Sequence, residues 1–265
     1  MADLERIVPL NAGGDLPPLF CVHAVSGSAY SYAGLARALG DRPVLGFEAP
    51  GFDNDRTPVP SLTALAEEYV GILREFRPEG PYLLFGWSLG GLVAFEMAKR
   101  LVEAGAEVGL LFIVDAGMPI VMDLPPERET LVRYIRDMAG TSNESPPGLD
   151  ELAAGWPDDA DPEVVFEQVE AAGILPEEID AYVLGEQYAV FHALLEGFYS
   201  IDVAGTYEGP AVHVLAEHSP TEDMRWDKRL PDLVEHTVAD STHHSILTGD
   251  ALAELVRLVH KHLGD

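Results

Sequence analysis

Apolar positions in the first half of the chain follow two alternating spacings. Short apolar runs, PLFCVHAV (Pro18 to Val25), RPVLGFEAPG (Arg42 to Gly51), YLLFGWS (Tyr82 to Ser88) and VGLLFIVDA (Val108 to Ala116), have the length and composition of buried strands. SLTALAEEYVGILREF instead repeats apolar residues at Leu62, Leu65, Tyr69, Ile72 and Phe76, one face of a helix, behind Ser61 as a helix-starting cap. LGGLVAFEMAKRLVEAG is a second helix, stopped by Gly105. Strands alternating with helices of this length predict parallel βαβ units. The pattern breaks from about Ile120 to Ser200, where only helical runs occur: PPERETLVRYIRDMAG, DPEVVFEQVEAAG and the long PEEIDAYVLGEQYAVFHALLEGFYS, with a turn-rich loop after the first. Strand and helix then resume in PAVHVLAEHS, VEHTVADS and ALAELVRLVHKHL. The expected architecture is one α/β unit over residues 1–265, a mostly parallel sheet flanked by helices, with residues 120–200 inserted as a helical lid. Insertions of that size are more often functional than connecting.

Composition adds constraints. With 45 acidic against 16 basic residues, the formal charge is −29. Such a surface repels phosphate backbones and anionic lipid, so neither nucleic acid nor membrane is expected as a partner. No apolar run reaches the length of a membrane span, and MADLERIVPL lacks the pattern of a secretion signal, so a cytoplasmic protein is expected. The single cysteine, Cys21, has no partner for an internal disulfide and falls in a strand run, as a core residue would.

Candidate chemistry centres on FGWSLGG, Phe85 to Gly91. G-x-S-x-G carries meaning when it follows a strand and opens a helix, as it does here. Gly86 and Gly90 permit a turn too tight for side chains and lift Ser88 to the strand's carboxyl end, at the N-terminus of the next helix. A serine nucleophile needs a base, and the base needs an orienting carboxylate. In α/β-hydrolases these follow in the order Ser, acid, His. His243 and His244 lie between the last strand and last helix, where a base belongs. His192 lies in the long lid helix, and His260 and His262 late in the last helix, where packing or end-charge roles suit them better. The acid is open between Asp115, at the end of its strand, and Glu217, Glu222 or Asp223 one strand later. The oxyanion donors are the N–H of Leu89 and an N–H from the HAVSGS turn, whose His23 reads as structural.

The chain resembles the type I thioesterase domains of nonribosomal peptide synthetases, with polyketide-synthase thioesterases as near relatives. The resemblance rests on VPLNAGGDLPPLFCVHAVSGSAYSY, GPYLLFGWSLGGLVAFEMAKRL and HHSIL, and covers nearly the whole chain. It implies Ser88 as nucleophile, His243 as base, Asp115 as acid and Val25 as the second oxyanion donor. Ala24 and Ser26 depart from the family pattern at that turn. It also implies a peptidyl or acyl thioester substrate on the phosphopantetheine arm of a carrier protein, in cis or in trans, with no cofactor or metal bound by the domain itself. Release would be by hydrolysis or macrocyclisation in an antibiotic-type pathway. Leu184, Tyr188, Phe191 and Phe198 of the lid are candidates to line a substrate tunnel, with packing inside the lid as the alternative for each. A free-standing editing thioesterase and a small-molecule serine esterase are the alternatives.

Overall fold

The computed structural model describes residues 6–52, 56–119, 121–141, 145–220 and 225–264. Among these residues seven strands form one sheet: β1 (Ile7–Pro9), β2 (Leu19–Val22), β3 (Val44–Phe47), β4 (Tyr82–Trp87), β5 (Val108–Val114), β6 (Ala211–Ala216) and β7 (Leu233–Val238). Their spatial order is β1-β3-β2-β4-β5-β6-β7. All neighbours run parallel except β1, which pairs antiparallel with β3 at the edge. The helices of the α/β frame are α1 (Ala33–Ala38), α2 (Leu62–Phe76), α3 (Leu89–Glu103) and α8 (Gly249–Leu263). This is the α/β-hydrolase arrangement. Two elements of it were not read in the sequence. β1 is a three-residue edge strand, too short for periodicity to show. α1 follows a 3-10 turn at Ala29–Tyr32, and some such crossover is required because β2 and β3 are parallel neighbours.

Alternation along the strands separates two cores. Phe20, Val22, Leu84 and Ile113 face one side and pack with Tyr69, Leu92 and Phe95 of α2 and α3. Leu19, Cys21, Phe85 and Phe112 face the other and meet Leu35, Leu255 and Val259 of α1 and α8. Cys21 is fully buried, which pushes its thiol well above the ordinary cysteine range and leaves it a core group.

Between β5 and β6 the described residues form four helices, α4 (Glu127–Met138), α5 (Leu149–Ala153), α6 (Pro162–Ala171) and α7 (Ala181–Ser200). The sequence reading has a loop where α5 stands, because a five-residue helix falls below one apolar repeat. Ile120, where the insertion was expected to begin, and residues 142–144 of that loop lie outside the described residues. Leu131, Tyr134, Val165, Phe166, Leu184, Tyr188 and Phe191 give the insertion its own apolar cluster.

The sheet order positions the site. The chain steps from β2 outward to β3, then returns to place β4 on the other side of β2. Such a reversal opens a crevice at the carboxyl ends of the two central strands. Ser88 follows β4, the turn containing Val25 follows β2, and Asp115 follows β5.

Candidate active site

Ser88 occupies the strained turn between β4 and α3, at φ 56° and ψ −132°. A non-glycine residue in that region costs about 1–3 kcal/mol and persists only where the surroundings enforce it. Here they do. Ser88 N donates to Val114 O at 2.9 Å, and Gly91 N to Ser88 O at 2.9 Å. A Cβ on Gly86 would run into the carbonyl of Gly90, and one on Gly90 into the carbonyl of Val22. Both glycines are therefore required by backbone approach. Tyr32 ties the turn to β2: its hydroxyl accepts from Trp87 N at 3.0 Å and donates to Val22 O at 2.5 Å.

His243 Nε2 lies 2.9 Å from Ser88 Oγ, and its Nδ1 lies 2.6 Å from Asp115 Oδ2. A carboxylate only accepts, so Nδ1 carries the hydrogen and Nε2 is free to accept from the serine hydroxyl. Asp115 is itself at φ 44° and buried. Its Oδ1 accepts from Ala216 N at 2.8 Å and its Oδ2 from Ser219 Oγ at 2.6 Å. Burial alone would raise this carboxyl's pKa. The hydrogen bonds from His243, Ser219 and Ala216 outweigh that and hold it below the ordinary aspartate value.

Trp87 fixes the histidine loop. Its Nε1 donates to the His243 carbonyl at 2.9 Å, and the two rings lie 4.9 Å apart. The adjacent His244 packs edge-on against both, with no bond to Asp115 or Ser88. Burial, reinforced by the charge of His243, lowers its pKa to about 4, so it stays neutral. Glu217 is exposed and accepts from Asp240 N at 2.7 Å, and the carboxylate on His243 is that of Asp115. Glu222 and Asp223 lie outside the described residues. His23 is fully buried, with Nδ1 2.8 Å from Ala24 O and Nε2 2.6 Å from Tyr69 Oη. Burial lowers its pKa to about 4, and it pins the end of β2 to α2.

Ser88, His243, Val25 and Leu89 line a cavity of about 930 Å³ between the sheet's carboxyl edge and the helical insertion. Neither Val25 N nor Leu89 N has an acceptor among the described residues. Phe191 and Phe198 form part of the wall. Leu184 and Tyr188 do not reach it. They pack inside the helical cluster, where Leu184 O accepts from Tyr134 and Tyr188 donates to Glu127. Sequence reasoning did not single out the wall contributed by α4, with Arg128, Arg133, Arg136 and Asp137, nor Ser219 behind Asp115. The signal available for α4 was its amphipathic pattern. Leu131, Tyr134 and Ile135 are buried, which leaves these polar residues on other faces.

A strained serine after a parallel strand, within reach of a carboxylate-bound histidine, can attack an acyl carbon and hold it as an ester. Residues 17–263 match the family model described as thioesterase domain.

The chain belongs to the thioesterase domain family. Family membership implies hydrolase activity. Over 137 residues, half of this thioesterase chain, it is 39% identical to a dimodular nonribosomal peptide synthase of Bacillus subtilis (strain 168), of which the match covers 6%. It thus spans only a small part of that curated relative. A four-domain nonribosomal peptide synthetase bound to AMP and glycine superimposes on 97% of the chain, and 20% of its own, with TM-score 0.81 and 23% identity. The NocB thioesterase domain, in covalent complex with a fluorophosphonate nocardicin G analog, covers 98% of this chain and 100% of its own at TM-score 0.70 and 24% identity. Likeness at that identity is likeness of fold. Among the described residues, no helix is long and apolar enough to cross a membrane.

Proposed function

We propose that this thioesterase releases a peptidyl or acyl chain from a carrier protein's phosphopantetheine thioester in nonribosomal peptide assembly. Ser88, His243 and Asp115 are its catalytic residues. The observation that carries this reading is the hydrogen-bonded series Ser88–His243–Asp115 on the wall of the cavity, in a chain of this family.

The steps follow from the geometry. His243 Nε2 takes the Ser88 proton as Oγ bonds to the thioester carbon. Negative charge collects on the former carbonyl oxygen, and the N–H groups of Leu89 and Val25 receive it. Leu89 is the first residue of α3, whose leading amides have no partner within the helix and whose dipole favours an anion there. Donors aimed at that charge contribute about 10²–10³ in rate each. The C–S bond breaks, and the pantetheine sulfur leaves with the proton held by His243. Water, or an amine or hydroxyl of the chain itself, then gives its proton to His243 and attacks the ester. An acid or a ring is released and Ser88 recovers its hydrogen. Asp115 stabilises the transient imidazolium without becoming protonated. Helices α4–α7 act as the lid, excluding bulk water from the ester.

The test is to present a synthetic peptidyl thioester on a carrier protein, trap the intermediate by acid quench, and map the acylated residue by mass spectrometry. Acylation of Ser88 with thiol release is expected, and none in Ser88→Ala. Acylation elsewhere, or faster turnover of simple oxygen esters than of thioesters, overturns the reading. Preferential clearing of acetyl or other short acyl groups would instead identify an editing enzyme.

A further inference from the structure

The cavity wall carries more charge than an apolar acyl chain needs. Three arginines of α4 line it, in a chain with few cations, and three of its acids, Glu129, Asp137 and Asp150, line it with them. Most of these charges have partners. Arg136 holds Asp150 at 3.3 Å and donates to Ser145 Oγ at 2.9 and 2.6 Å. Arg128 pairs with Asp158 at 3.0 Å. Arg133 donates to the Tyr199 hydroxyl and lies 5.6 Å from the centre of that ring. Glu129 is exposed to solvent.

Asp137 differs. It is half-buried on the last turn of α4, and it lines the same cavity as Ser88 and His243. Its carboxyl takes part in no hydrogen bond or ion pair with any described residue. Arg133, one turn earlier, is committed to Tyr199 and does not reach it. An enclosed carboxylate without a partner is costly. That cost shows in its titration: burial raises the Asp137 pKa to about 6, against a smaller opposing pull from the His243 charge. A cation arriving in the cavity would remove the penalty. Among the described residues it belongs to no cluster of acids and imidazoles that could hold a metal ion, and a single carboxylate suits an ammonium group, which needs one strong acceptor.

We propose that Asp137 is a specificity-determining residue that binds a positively charged amine on the acyl chain, so that the preferred substrates are peptidyl thioesters with a basic amine near the scissile carbonyl. This rests on the release reading above and narrows its substrate class. Such an amine could be a basic side chain or the free end of the peptide. Bound by Asp137 it would lie in the same cavity that Ser88 and His243 line, where the ester on Ser88 is attacked.

The experiment uses two matched peptidyl-pantetheine thioesters, one with an ornithine side chain and one with a methyl group in place of its ammonium. Wild-type protein and Asp137→Asn are compared by the ratio of kcat/KM for the two, with thermal unfolding as a fold control. A preference for the amine of about tenfold or more is expected in the wild type, the size of a charge-assisted hydrogen bond, and its collapse toward unity in Asp137→Asn. Equal rates for both thioesters in the wild type overturn the proposal, whether or not the variant folds. A preference that survives in folded Asp137→Asn does so too. If both thioesters acylate Ser88 equally, only the Asp137 inference falls. If neither acylates it, the release reading falls and takes this inference with it.

Discussion

Replacing Asp115 by asparagine removes one charge and almost no volume, so its effect reads the role of the carboxylate directly. Three donors converge on Asp115: Ala216 N on Oδ1, and Ser219 Oγ with His243 Nδ1 on Oδ2. An asparagine can accept on one side only. If its carbonyl keeps Ala216 N, its NH₂ faces His243, which must then present a bare Nδ1 and carry its hydrogen on Nε2. That tautomer points a donor at Ser88 and cannot take its proton. If the amide turns over, the histidine is satisfied but two N–H groups oppose each other at Ala216. A buried unpaired N–H costs about 1–3 kcal/mol. The first orientation therefore dominates, and turnover should fall by about 10³–10⁴, the upper figure being that of a serine protease whose triad aspartate is replaced by asparagine. This corresponds to about 4–6 kcal/mol of barrier. The assay is thiol release from a peptidyl-pantetheine thioester under single-turnover conditions, with thermal unfolding as a fold control. Ser219→Ala, which leaves two of the three donors, should cost about tenfold. Glu217→Gln, on an exposed carboxylate, should change little. A folded Asp115→Asn protein within tenfold of wild type, or a larger loss in Glu217→Gln, would refute the reasoning.

His243→Ala should abolish turnover while His244→Ala lowers it only modestly, measured as kcat/KM on the same thioester; the reverse ranking would place the base on the wrong ring. Gly90→Ala drives a methyl into the carbonyl of Val22 and should destabilise the fold by about 3 kcal/mol or more, seen as a lower urea midpoint at unchanged slope. His23 is fully buried with its pKa lowered to about 4, so between pH 6.5 and 4 the unfolded chain binds the extra proton. Its contribution to stability is present at pH 7 and drains as pH falls through that window, by about 2 kcal/mol at pH 5. Urea titrations at the two pH values check this. His23→Gln should flatten the dependence, and an unchanged slope would remove His23 as its source.

Local pattern carried much of this protein. The apolar runs ending in Trp87 and Val114 read as buried strands because both faces of a parallel strand are covered, and α2 and α3 read as helices from spacing and from Ser61. Gly86 and Gly90 around Ser88 were legible because a tight turn demands them whatever lies elsewhere. Short elements were not legible: β1, α1 and α5 hold three to six residues and owe their form to neighbours rather than to a repeat of their own. Residues alone also left the acid open among four positions and the histidine between two neighbours, and only the family resemblance ranked them. In the fold, Asp115 and His243 meet across 128 positions of sequence because β5 and β7 flank β6, and Trp87 holds the His243 carbonyl so that this ring, not the next, faces Ser88. Leu184 and Tyr188 carry the same apolar pattern as Phe191, yet only the packing of α7 against α4 and α6 decides which of them meets the cavity. Asp137 gave no sign in one dimension, since an acid late in a charged helix ordinarily faces water. Its lack of a partner among the described residues is a property of what packs around it, and periodicity reports only on a residue's own element.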